Sequence, residues 1–150
     1  MTETTGHRAP AMPNLDWLMN QFVSTIPDVR AVQLSSIDGF KLASHGLADE
    51  ERADYLSAIV SGHLPLFNGS LQKVTGLPNT RHVETVVNAN DTIAIIASAG
   101  EGGILAALTE PTADVGMVGH ELGELVKRVG EHLGVDPRVH HPTTTPGPLG

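Results

Sequence analysis

Cysteine is absent from the 150-residue chain, which excludes disulfides and cysteine-based metal centres. Aromatic residues are scarce at 3 %, so Leu, Ile, Val and Ala must fill whatever core forms. Basic residues are few as well. Lys and Arg number 9 against 17 Asp and Glu, and the formal net charge is −8. No basic stripe exists to neutralise phosphates, which argues against nucleic-acid binding. The same deficit disfavours docking on anionic membranes. There is no apolar run long enough to cross a bilayer, and the N-terminus lacks the basic-then-apolar pattern of a secretory signal. The expectation is a cytoplasmic protein. Two chemical signatures are missing too. Without Gly-x-x-x-x-Gly-Lys-Ser/Thr the chain is not itself a P-loop GTPase or ATPase, and no Gly-x-Ser-x-Gly elbow presents a nucleophile.

What remains is a single domain between two tails. Residues 1–13 and 135–150 are polar, proline-containing and without period; neither can bury enough apolar surface to offset its ordering entropy, so both are expected to be disordered. The body, 14–134, is long enough for one core. Asn14 is placed to cap a first helix whose apolar stripe is Leu15, Leu18, Met19, Phe22 and Ile26, broadened by Trp17 and Val23, with Pro27 as its stop. Two strands, Val29–Ser36 and Phe40–His45, flank Ile37-Asp38-Gly39, where Asp-Gly supplies the positive φ of a tight turn. Val32 and Leu34 are the expected buried residues of the first strand. Asp49 can cap a second helix with Ala53, Leu56, Ile59, Val60, His63, Leu64 and Phe67 on its stripe, and Pro65 predicts a kink or break.

Three strands then follow in close order. Arg81–Asn88 is β-branched, Thr92–Ala99 is apolar on both faces and therefore interior to the sheet, and Ile104–Thr109 returns after a glycine-rich turn at 100–103. Pro111 and Thr112 predict the start of a last helix, with Thr112 as its cap, running through Val115, Val118, Leu122, Leu125, Val126, Val129 and Leu133 to Gly134. The order is αββαβββα. The fold class is α+β, a five-stranded antiparallel sheet in the order 2-1-5-4-3 with helices on both faces.

No residue pattern points to catalysis, a cofactor or a metal. His120-Glu121-Leu122-Gly123-Glu124 begins like a zincin motif but carries Glu where the second His belongs, and reads as a solvated helix face. His140 and His141 sit in the predicted tail. Gly116, Gly119 and Gly123 each cost the last helix about 1 kcal/mol relative to Ala and suggest close approach of another helix. The functional signal lies in the strand 81–88. In the predicted order it is an edge, and Val83, Thr85, Val86 and Val87 do not defend it. Pairing with a second copy about a twofold axis would make a ten-stranded sheet and bring Ile59, His63, Leu66 and Phe67 of the two second helices together. Those eight residues are the predicted homodimer interface.

The spacing of several short pieces resembles the roadblock family of dynein light-chain type, in particular its short actinobacterial members. The pieces are Leu15-Asp16-Trp17-Leu18, Val29-Arg30 through Ser36-Ile37-Asp38-Gly39, Glu51-Arg52-Ala53-Asp54 with Ser61-Gly62, and Val129-Gly130-Glu131-His132-Leu133. The resemblance covers Leu15 to Leu133. It implies a roadblock/profilin-like fold and a non-enzymatic homodimer that regulates or scaffolds a small Ras-like GTPase, as MglB-like members do. Pro65 departs from the family's Leu- and Ala-rich second helix. Two alternatives stay open: a small-molecule sensor domain and a structural assembly subunit.

Overall fold

The computed structural model describes residues 14–67, 70–77, 84–100 and 102–132. The two predicted tails, Arg81, Val83, Glu101 and the histidines at 140 and 141 lie outside the described residues. Helix α1 spans Asp16–Thr25. Its first carbonyl is that of Leu15, which accepts from Leu18 and Met19 at 3.0 and 3.2 Å, while Asn14 Oδ1 accepts the Asp16 N–H at 2.9 Å. The helix therefore opens one residue later than an Asn14 cap requires, with Leu15 buried at the junction. Pro27 and a left-handed Asp28 (φ 67°) turn the chain into β1.

Strands β1 (Val29–Ser36) and β2 (Lys41–His45) form a hairpin whose turn rests on Gly39 at φ 96°. Helix α2 spans Glu50–Phe67 and is capped as its sequence predicts: Asp49 Oδ1 accepts the Arg52 N–H at 2.9 Å. The expected disruption at Pro65 takes a mild form. The helix passes the proline and stops at Phe67, two residues on, and a short helix α3 (Ser70–Thr75) follows. Strands β3 (Glu84–Ala89) and β4 (Thr92–Ser98) meet in a two-residue turn with Asn90 at φ 54°. Strand β5 (Gly103–Thr109) returns alongside β4. Helix α4 (Val115–His132) is capped by Asp114, whose Oδ1 accepts the Met117 N–H at 3.1 Å. Thr112, the expected cap, instead donates to Asp28 Oδ2 at 3.3 Å; a turn from Glu110 to Ala113 delays the helix past it.

The sheet order is β2-β1-β5-β4-β3, all pairs antiparallel, as the sequence predicts. Directly paired residues share a face, so the register sorts every strand residue. Val32, Leu34, Ile93, Ile95, Leu105 and Ala107 carry α1 and α4, joined by Leu18, Met19, Phe22, Val118, Leu122, Leu125 and Val129 in one continuous core. Ile96, Ile104 and Ala106 carry α2 through Val60 and Leu64, a much smaller cluster.

Candidate interaction surface

Two features leave apolar groups uncovered on one side of the molecule. The first is the edge strand. Among the described residues β3 has a partner only in β4, and Val86 and Val87 are 45 % and 37 % exposed. Alternation divides the strand's residues. Val86 pairs with Ile95 and shares the α1–α4 face, whereas Thr85 and Val87 pair with Ile96 and Ala94 and share the face of α2. The outer backbone row of β3 serves both faces alike.

The second feature is α2. Helical geometry puts Ala53, Ser57, Val60 and Leu64 toward the sheet, all of them buried. Directly opposite stand Tyr55, Ile59, Gly62 and Leu66, at the spacing of one helical stripe. Ile59 is 60 % exposed, Leu66 64 % and Tyr55 63 %, and nothing lies within 4 Å of where a Cβ on Gly62 would stand. Ser61 looks toward the β1–β2 hairpin: a Cβ on Gly39 would be 3.4 Å from its Oγ. The other flank of the helix, with Leu56 and His63, therefore looks toward β4 and β3. Of the predicted interface residues on α2, Ile59 and Leu66 stand on the outer stripe. His63 is half-buried on the flank, and the side chain of Phe67 lies outside the description. Tyr55 completes the stripe and was missed, although its spacing four before Ile59 was legible. The short helix α3 adds exposed Leu71 and Val74, and none of its residues is buried.

The edge hairpin is fastened from inside the sheet. Arg30 Nη2 donates to Asp91 O and to Glu110 Oε1, both at 2.8 Å, and its Nη1 reaches Thr92 Oγ1 at 3.1 Å. The hydrogen bond from Arg30 holds the Glu110 carboxyl below its usual range, and the same contact raises the guanidinium. Near the start of α2, Glu50 accepts from Lys41 Nζ at 2.5 Å, which raises the ammonium. Arg52 is tied to Asp49 at 2.6 Å. At the other end of β3 the glycine row of α4 finds a use: a Cβ on Gly119 would stand 2.7 Å from Glu84 Oε2, so that glycine makes room for a strand side chain. The nearest group there is the Glu84 carboxylate, in place of the second helix that the sequence suggests.

No three of His, Cys, Asp and Glu converge as a metal site would require among the described residues, and no described helix is long and apolar enough to cross a membrane. The surface offers backbone donors and acceptors along β3 and an apolar helix stripe beside them.

Comparison with known proteins places this architecture. The chain is similar to a Roadblock/LC7 domain from Streptomyces avermitilis, with 33 % identity over 82 % of this chain and 100 % of the other, at a TM-score of 0.73. It also resembles the gliding protein MglB from Thermus thermophilus, at 20 % identity over 79 % and 87 % of the two chains and a TM-score of 0.66. The likeness extends in fold to profilin IA of Acanthamoeba castellanii, at 13 % identity, 79 % and 98 % coverage and a TM-score of 0.50. No protein-family model matches the chain, and no curated protein does.

Proposed function

The chain belongs to the roadblock/LC7 family, and from that premise we propose that it is a homodimeric, non-enzymatic regulator or scaffold of a small Ras-like GTPase in the cytoplasm. One observation carries the reading. A strand edge with exposed Val86 and Val87 lies on the side of the sheet toward which one flank of α2 faces, and α2 turns an apolar stripe outward. A second copy pairing at β3 gives the edge its missing ladder, and the helix faces of both copies then flank one surface. The body 14–134 is the functional unit. Val83, Thr85, Val86 and Val87 form the seam, with Ile59, His63, Leu66 and Phe67 lining the helices beside it.

The GTPase brings its own P-loop and Mg²⁺. A docked dimer acts by favouring one arrangement of the switch loops. Arg52 and Arg81 are given no finger role; Arg52 is already engaged by Asp49. The test is single-turnover GTP hydrolysis by a cognate GTPase with and without the chain, together with binding by titration calorimetry. Binding with a changed rate supports a regulator, and binding with an unchanged rate supports a scaffold. No binding removes the GTPase and leaves an assembly subunit.

A further inference from the structure

Beneath the inner side of α2 lies a buried polar group that packing does not require. Gln33 of β1 is fully buried, and its Nε2 donates to Ala53 O at 2.9 Å and to Ser57 Oγ at 2.8 Å, both on α2. Ser35 Oγ, next along the same face, is 2.9 Å from Ser57 Oγ and 3.3 Å from Gln33 Nε2. Gln33, Ser35 and Ser57 are all buried. The amide cannot turn over, because Ala53 O only accepts. Gln33 Oε1 is then buried, and no donor among the described residues reaches it. An acceptor in that position bears its desolvation cost with no return while α2 is seated.

The two faces of the sheet therefore hold their helices differently. The α4 side is a continuous aliphatic core. The α2 side has a small apolar cluster toward the C-terminal half of the helix, Val60 and Leu64 on Ile96, Ile104 and Ala106, and hydrogen bonds toward the N-terminal half. Lifting the N-terminal half breaks the hydrogen bonds of Gln33 and Ser35 to α2 and the exposed Lys41–Glu50 pair, which water replaces, and at the same time hydrates Gln33 Oε1. Lifting α4 exposes hydrocarbon and gains nothing in exchange.

We propose that Gln33, Ser35 and Ser57 form a latch, and that α2 exchanges between a seated state and one unlatched at its N-terminal half. This deepens the proposed reading of α2 as the helix beside the dimer seam: Tyr55 and Ile59, on the outer side of the latched half, give the second copy its hold on a helix that moves. A partner that prefers one of the two states shifts their populations.

Hydrogen exchange read by mass spectrometry on the full chain, alone in solution, tests the latch. Amides of residues 53–60 are expected to exchange at least tenfold faster than those of 122–129. The triple variant Gln33→Leu, Ser35→Ala and Ser57→Ala, which replaces all three latch groups by apolar ones, is expected to slow exchange in 53–60 at least fivefold and leave 122–129 unchanged. Ser57→Ala alone removes one acceptor of the amide and is expected to quicken 53–60 by about twofold to fivefold. Equal exchange of the two helices in the wild type overturns the latch, and so does an unchanged or slower 53–60 in Ser57→Ala. If the triple variant does not fold, those two results still decide. No GTPase is present in any arm, so a negative GTPase assay and a negative exchange experiment are separate outcomes.

Discussion

The two edges of the sheet are built to opposite ends. At β2 the strand is five residues long, the pairing with β1 shifts between Leu34 and Ser35, and the Ser44 N–H is taken by Asp16 Oδ1 at 3.0 Å from the first turn of α1. Lys41, on the same strand, is engaged by Glu50. A short edge with a shifted register, a capped donor and a charge is poor material for another strand. At β3 there is a regular six-residue pairing with β4 and two exposed valines, and among the described residues no side chain caps its N–H groups. On the proposed reading, a molecule that disarms one edge and leaves the other open among its described residues directs association to the open one.

The largest expected effect follows from breaking the open edge. Val86→Asp puts like charges near one another across a symmetric strand pair, and self-association is expected to weaken at least hundredfold by analytical ultracentrifugation. Unchanged association in that variant places the seam elsewhere. Disarming the guarded edge is next. Asp16→Ala frees the Ser44 N–H and removes a charged acceptor, at a cost of about 1 kcal/mol in urea unfolding. It is also expected to add species larger than the dimer in light scattering, because a second edge is then available.

The open side of this contrast was legible in the sequence and the guarding of β2 was not, because it depends on contacts across the fold. Asp38-Gly39, Asp49 and the run apolar on both faces around Ile93–Ile96 locate the hairpin, the second cap and the interior strand from local rules alone. Gln33 and Ser35 were hidden because alternation with Val32 and Leu34 reads as a half-exposed strand. Only the covering α2 makes both faces of β1 buried. Thr112 lost the cap to Asp114 because the chain turns once more before the helix, a choice made by the Asp28–Thr112 contact across the fold. Gly119 looked like a helix-packing residue, yet the group that fills the space is Glu84, thirty-five positions away in sequence. For the candidate seam, residue type and exposure were readable at Ile59, Leu66, Val86 and Val87. The division of Val86 from Thr85 and Val87 between the two faces needed the register.

Two smaller tests sharpen the comparison at the ends of β3. Gly119→Ala removes a helix penalty of about 1 kcal/mol and asks only the flexible end of Glu84 to move. Thermal unfolding is expected to show a gain of about 0.5 kcal/mol or more, with association unchanged. At the far end, Arg30, itself paired with Glu110, anchors the β3–β4 turn at Asp91 O and Thr92 Oγ1. The Glu110 carboxyl is depressed in the folded chain, so the unfolded chain binds its proton first. Its contribution is complete above the ordinary glutamate value of about 4.3 and is lost as pH falls below it. Glu110→Gln is expected to flatten that acid limb slightly in urea midpoints measured from pH 6 to pH 3. Both groups are exposed, which makes this the smallest of the effects.

The open edge is tested most directly by the solution mass of the full chain, measured by light scattering across a hundredfold range of concentration. A mass of twice the 15.8 kDa chain is expected, reverting toward one chain only in Val86→Asp. A wild-type mass of 15.8 kDa throughout, with the amides of Glu84–Ala89 protected from exchange by the chain itself, would contradict it.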